Sequence, residues 1–390
     1  MEAVRGDVRA AVLKAAYEIS VETFPVPKIG PDDALLKIEL AGVCGTDHHA
    51  FSGRIPVPMP IILGHEILGR IVAIGDRAAA RYGVSVGRRV TVEASVPCWA
   101  CEDCLGGGYR FCQTNRGYGM RLSTTEPPAL WGALAELMHL APGSIVHSVP
   151  AGVPARVAVV ASIFANGIQW LRYHGNLSTG ETVVIQGAGP QGLAATVIAR
   201  ESGAAQIIVT GLARDASRLS LARAFGADET IVADEEDVTA RVKQLTQGRM
   251  ADLVLDVTGS SDAVRTSVEL VRRRGRLVLG GLTGHGVETS LKLDELVWKE
   301  IRLQGVFAKG SDAINAANRI LSARGHLYPL ERLISHVYSL DEASEAIVAA
   351  GGAAGDGFIK AAIAPSGEPR QAQGTEQDAS LSDDPVSQTS

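Results

Sequence analysis

Four cysteines fall within fifteen residues, Cys98, Cys101, Cys104 and Cys112, spaced C-x2-C-x2-C-x7-C with Gly106 to Gly108 in the last gap. Thiolates at such short intervals let one loop wrap a divalent ion tetrahedrally, the arrangement that zinc favours. Four thiolates also close the coordination sphere, so this ion would stabilise the loop and leave no position for a substrate. Buried or redox-active thiols are the bland alternative. The fifth cysteine, Cys44, lies in Gly42-Val43-Cys44-Gly45-Thr46-Asp47-His48-His49, and Gly64-His65-Glu66 comes soon after. Taken singly, a Cys in an apolar segment is usually a small core residue, and a lone His is usually a hydrogen-bonded side chain.

A third pattern suits a pyrophosphate. Gly187-Ala188-Gly189-Pro190-Gln191-Gly192 follows an apolar run, Thr182 to Gln186, and opens a helical stretch, Pro190 to Gly203. In that context the first Gly makes the tight turn, Gly189 admits the ligand to the backbone, and Gly192 lets helix and strand pack closely. The helix N-terminus then favours the negative charge. An NAD site would place Asp or Glu at the end of the second strand to receive the ribose 2′-hydroxyl; here that position is Gly211. Arg214 follows, which could pair with a 2′-phosphate, so the segment leans towards NADP. Asp215 could still fold back into the carboxylate role. Lys360 could reach a phosphate from the other lobe, although a solvated lysine is the simpler expectation.

These residues need a scaffold. From Thr182 onwards short Val/Ile/Leu runs alternate with Ala-rich amphipathic stretches, the pattern of parallel strands joined by crossover helices. Strands are expected at 182–186, 206–210, 229–233, 252–257, 276–280 and 301–307, giving an α/β fold with a Rossmann doubly wound parallel sheet over residues 161–310. Residues 1–160 carry Gly and Pro turn signals between short apolar runs such as Ala34 to Leu40 and Gly69 to Ile74, and read as a mainly β lobe. A helix at 311–323, a strand at 334–338, a helix at 340–350 and a strand at 358–363 are expected to return to that lobe and complete it. The segment 365–390 has almost no large apolar residue and is expected to be a disordered tail.

The chain has 390 residues, enough for two lobes, with 46% hydrophobic, 21% charged and 5% aromatic residues. Thirty-seven Lys and Arg face 43 Asp and Glu, a net charge of -6 without any basic run, which argues against nucleic acid as a partner. No apolar stretch is long enough to span a membrane and the N-terminus lacks a signal-like apolar region, so a cytoplasmic protein is expected.

Cys44 and the Gly64-His65-Glu66 step, followed by the four-cysteine loop and the Gly-rich unit, resemble the zinc-containing medium-chain alcohol and polyol dehydrogenases over residues 10–363. The resemblance implies a GroES-like catalytic domain, a structural zinc on the four cysteines, and a catalytic zinc held by Cys44 and His65. Glu66 is implied as a direct ligand or a close neighbour that exchanges with water or substrate. Thr46 matches the position whose hydroxyl accepts the alcohol proton, and His49 the one that passes it to solvent, with His48 a neighbouring candidate. The sequence departs from the family at Ser162: a Cys, Asp or Glu usually stands five positions before the Gly that is Gly167 here. Zinc held by Cys44, His65 and Glu66 with a water or substrate is the expectation, Ser162 at most bonding that water.

The implied activity is hydride transfer between a small-molecule alcohol, a secondary alcohol or polyol, and NAD(P), in a homodimer or homotetramer. A zinc-free quinone or enone reductase and a non-catalytic zinc-stabilised dinucleotide-binding protein are the rival readings. Trp131, Phe164 and Trp298 are candidates for apolar pocket walls or for ordinary core.

Overall fold

The structure is a computed structural model that describes residues 6–284, 286–355 and 357–367. Most of the expected tail, from 368 onwards, lies outside the described residues.

Six parallel strands form one sheet in the spatial order Glu229–Val232, Gln206–Gly211, Thr182–Gln186, Ala251–Asp256, Val271–Leu279, Arg302–Gly305. Val183, Val184, Ile185, Ile207, Ile208 and Val209 are fully buried, because helices cover both faces and a strand apolar on both sides is what such a layer needs. The order reverses between Thr182–Gln186 and Ala251–Asp256. That reversal leaves a crevice at the carboxyl ends of the strands, where the Gly-rich turn lies.

The second lobe is a seven-stranded sheet whose main path runs Ile334–Tyr338, Lys360–Ile363, Ala34–Gly42, Glu66–Ile74, Arg89–Val92, Val146–Ser148, with Leu137–Leu140 also paired to Ala34–Gly42. The C-terminal strands therefore sit beside N-terminal ones, and Lys360 is carried to the edge of Val43 and Glu66. A smaller sheet joins Asp7–Ala15 to Glu18–Pro25 and Ile61–Ile62. Helix Ser311–Arg324 spans the junction. Its Ala313, Ile314, Ala317 and Leu321 share a core with the Rossmann strands, while Ser311 and Asn315 bond to Glu93 and His147 of the other lobe.

The aromatic expectations resolve differently from one another. Trp131 is core, its indole N–H donating to Glu126 O at 2.8 Å, and Phe164 is completely buried. Trp298 is 72% exposed and so is not core, its helix Leu293–Trp298 burying none of its residues. Among the described residues no helix is long and apolar enough to cross a membrane.

Candidate metal centre and dinucleotide cleft

The sulfurs of Cys98, Cys101, Cys104 and Cys112 all lie within 4.8 Å of one another, and among the described residues no other group of three or more metal-donor side chains is so compact. Backbone N–H groups already point at them: Cys98 N donates to Cys112 Sγ at 3.2 Å and Cys101 N to Cys98 Sγ at 3.3 Å. The four thiols are not equivalent. Burial and its sulfur neighbours push Cys104 up to about 12. Burial would raise Cys112 too, but the Thr114 hydroxyl and the Cys98 N–H bring it down to about 6. An ion with Lewis acidity fits this set, since it would replace the protons that the sulfurs compete for.

Cys44 precedes helix Gly45–Phe51 in an extended conformation (φ -112°, ψ 157°), and Asp47 folds back to accept its N–H at 2.9 Å. The other oxygen of Asp47, which is 1% exposed, accepts Gly64 N at 3.3 Å and lies 3.2 Å from His65 Nδ1. One buried carboxylate thus ties together the two loops that carry the thiol and the imidazole. Burial opposes charge on both, yet Asp47 and Cys44 hold His65 well above its ordinary value, and His65 holds Cys44 below its own. Burial likewise opposes charge on Asp47, and His65 overrides it downward. A carboxylate on the far nitrogen of a metal-binding histidine fixes the ring and raises its basicity.

Glu66 does not form a compact triad with Cys44 and His65. Its carboxylate is held by Lys360, whose Nζ lies 3.0 Å from Oε1 and 2.8 Å from Oε2 and also donates to Val43 O at 2.9 Å. Glu66 and Lys360 are 2% and 3% exposed, so Lys360 is neither solvated nor free for a phosphate, which corrects the sequence expectation. Burial would lower Lys360; Glu66 and Cys44 raise it. Gly42 is required beside the pair, for a Cβ there would meet Glu66 Oε2 at 2.2 Å. Ser162 Oγ accepts a hydrogen bond from Lys309 Nζ at 2.7 Å, a partner that sequence spacing did not suggest.

The Thr46 hydroxyl lies 3.6 Å from Cys44 Sγ. His49 is half-buried, its Nδ1 has no hydrogen-bond partner among the described residues, and burial with the Arg54 charge lowers its pKa. His48 packs instead against Gly351, where a Cβ would meet its ring at 2.2 Å.

In the Gly-rich turn each glycine has a separate cause. Gly187 has φ +105°, a Cβ on Gly189 would meet open space, and one on Gly192 would overlap Gly187 O at 1.8 Å. Pro190 occupies the first turn of helix Pro190–Glu201, and Gln191 Oε1 accepts from Asn166 at 3.3 Å. Gly211 carries no side chain for the ribose, and a Cβ there would crowd Leu219 at 3.0 Å and Ala188 at 3.2 Å. Asp215 does fold back, but onto Leu212 N at 3.1 Å and Arg218 at 3.0 Å, while Arg214 is exposed.

Asp47, Lys360 and Lys309 were missed or misjudged from sequence. Asp47 had a local signal, an acid three residues after the helix-capping Cys44. Lys360 had a weaker one, a single charge inside the run Phe358 to Ala364, all of it buried in the fold.

The comparisons agree with this geometry. The alcohol dehydrogenase GroES-like domain model matches residues 30–151, and the zinc-binding dehydrogenase model residues 190–323. The "Probable alcohol dehydrogenase adh" of Mycobacterium tuberculosis is 36% identical over 88% of this chain and 95% of its own length. The erythritol/L-threitol dehydrogenase of Mycolicibacterium smegmatis is 31% identical over 86% and 92%. Among solved structures, a Thermotoga maritima alcohol dehydrogenase superposes with a TM-score of 0.84 at 30% identity, covering 92% of this chain and 100% of that one. A Sinorhizobium meliloti zinc-binding dehydrogenase bound to NADP gives 0.83 at 26%, covering 93% and 100%. Together the two matched domain models and these relatives make the chain a nicotinamide-dependent dehydrogenase. The chain belongs to the zinc-containing medium-chain alcohol dehydrogenase family.

Proposed function

We propose that this dehydrogenase oxidises a small secondary alcohol or polyol, with one zinc in the cleft, a second on the four-cysteine loop, and NADP favoured over NAD. The observation that carries the reading is Asp47, a buried carboxylate that binds the Cys44 and Gly64 backbones and the His65 ring together, as a two-loop metal site requires. Bound there, zinc would supply the Lewis acidity that makes an alcohol proton easy to lose, and the nicotinamide ring would accept the hydride. Cys44 and His65 would hold the ion. Glu66, clamped by Lys360, would stand next to them and exchange partners rather than serve as a permanent ligand.

The chain's own groups account for the proton. Thr46, beside Cys44, would accept it from the substrate hydroxyl, and His49, kept neutral by burial and carrying an unpartnered ring nitrogen, would receive it next. Gly187, Gly189, Pro190, Gln191 and Gly192 would cradle the pyrophosphate. Arg214 would meet a 2′-phosphate, because Gly211 offers no acid and Asp215 is already committed.

A homodimer is the favoured assembly. Leu293, Val297, Trp298, Leu303 and Phe307 are 44–72% exposed around Arg302–Gly305, an end strand of its sheet, and a second copy would cover them. The test of the whole reading is Cys44→Ala with a metal count: turnover lost, one of two zincs lost, and NADP binding kept. Full turnover in that variant refutes it.

A further inference from the structure

Ser162 stands where the resemblance places an anionic or sulfur donor, and its bond to the Lys309 ammonium reverses the charge expected there. The usual Cys, Asp or Glu would add a negative charge beside the catalytic centre. Here a neutral hydroxyl occupies that position and accepts from an ammonium 2.7 Å away. Ser162 lies in helix Ala161–Gly167; Lys309 lies just before helix Ser311–Arg324, so the contact forms across the junction of the lobes. Both are only partly exposed. Among the described residues no carboxylate lies within ion-pair distance of Lys309 Nζ. Glu66 is taken by Lys360. Glu93 is saturated by His147 at 2.8 Å, Tyr109 at 2.8 Å and Ser311 at 2.6 Å. Burial lowers the pKa of Lys309, although the charges of Glu66, Glu93 and Cys44 act to raise it. A lysine desolvated at a substrate cleft with only a hydroxyl for a partner lacks a counter-charge, and a divalent ion beside Cys44 would deepen that lack.

We infer that Lys309 is a specificity residue: the cleft selects alcohols that carry an oxyanion, a carboxylate or phosphonate, near the carbinol, with Lys309 as the counter-ion and Ser162 holding its ammonium in place. The inference rests on the proposed alcohol oxidation and deepens it. The balance of the reaction is unaffected: the carbinol carbon loses hydride to the oxidised nicotinamide, its hydroxyl loses a proton to solvent, and the oxyanion leaves unchanged.

The test compares kcat/KM of the zinc-loaded enzyme for matched pairs, lactate against 1,2-propanediol and 2-hydroxypropylphosphonate against 1,2-propanediol. The charged member should be favoured roughly 10- to 100-fold, as a charge-assisted hydrogen bond would give, and the two anions show which oxyanion geometry fits. In Lys309→Met that ratio should collapse towards one, and in Lys309→Arg much of it should survive. Equal rates in the wild type, or an undiminished ratio in Lys309→Met, overturns the inference. A second readout needs neither turnover nor a variant. Calorimetric binding of propionate against propionamide to the cofactor-loaded wild type should favour the acid, and equal binding again overturns the inference. If no alcohol of any charge is oxidised while propionate binding is retained, the proposed reaction fails and the anion site stands.

Discussion

The four-cysteine loop and the cleft are built on opposite plans. In the loop every donor comes from one short segment, and neighbouring peptide N–H groups fix the sulfurs, so the site is nearly complete without the rest of the fold. In the cleft the participants are Cys44, His65, Glu66, Ser162, Lys309 and Lys360, contributed by both lobes and by the C-terminal return. There the positioning is done by buried charges, Asp47 on the two donor loops and Lys360 on Glu66. A local site tolerates movement between lobes; a distributed one reports it.

The largest expected effects separate the two sites outright. Cys44→Ala should reduce turnover on the order of a thousandfold, from the loss of several kcal/mol of Lewis-acid stabilisation, with thermal stability little changed. Cys104→Ser should do the reverse: one zinc lost, a steep fall in melting temperature and aggregation, since the metal there contributes folding free energy. Metal stoichiometry and calorimetry on each purified variant check this. If Cys104→Ser stays as stable as the wild type, the loop is not held by an ion.

Next in size is the pair that the sequence misjudged. Lys360→Met leaves Glu66 buried without its partner and should cost about 3–5 kcal/mol, as breaking a buried ion pair does. Adding Glu66→Gln should recover part of that stability without recovering activity. Additive losses in denaturant unfolding would mean the two residues act independently.

The pH dependence of metal uptake sharpens the contrast further. His65 is held well above its ordinary range and Cys44 below its own, so a zinc bound by the pair would have to displace the His65 proton. Cleft affinity should rise with pH until His65 titrates, then level off. The loop must also displace the proton of Cys104, at about 12, whereas Cys112, at about 6, is already ionised near neutrality. Its affinity should therefore keep climbing into alkaline solution. In stability the two groups act in opposite windows: a raised His65 contributes below its unfolded value and loses that contribution as pH rises through the folded value, whereas a lowered Cys44 contributes above its unfolded value and loses it as pH falls through the folded value. Titration of released protons with a pH indicator checks both sites, and parallel profiles would erase the distinction.

What could be read from sequence follows the same division. The Rossmann strands were legible because Val183 to Ile185 and Ile207 to Val209 are apolar on both faces, and the cysteine loop because its spacing is local. Thr46 came from the family resemblance, and its hydroxyl lies 3.6 Å from Cys44 Sγ. Lys360 and Lys309 were not, because their partners lie 294 and 147 residues away and no periodicity encodes which strand end meets which loop. Trp298 looked like a core or pocket residue by type alone, whereas its short helix turns Leu296 to the core and leaves Trp298 72% exposed.

The smallest effect concerns the cofactor, and its geometry is the most local of all. At the end of Gln206–Gly211 there is no acid, and a Cβ on Gly211 would crowd Leu219 at 3.0 Å and Ala188 at 3.2 Å. Asp215 is the nearest substitute, but its two oxygens already serve Leu212 N–H and Arg218, so serving a ribose hydroxyl would break one of those bonds. Arg214 is exposed and has no such commitment. Replacing Arg214 with Ser should therefore lower kcat/KM for NADP by about tenfold, the worth of one charge-assisted phosphate contact at an exposed site, and leave NAD nearly unaffected. Steady-state kinetics with both cofactors checks it, and raised salt should shrink the NADP advantage of the wild type in the same direction. Should NAD prove the better cofactor in the wild type, Asp215 must leave Arg218 when the dinucleotide binds, and Asp215→Asn would then be the variant that loses NAD.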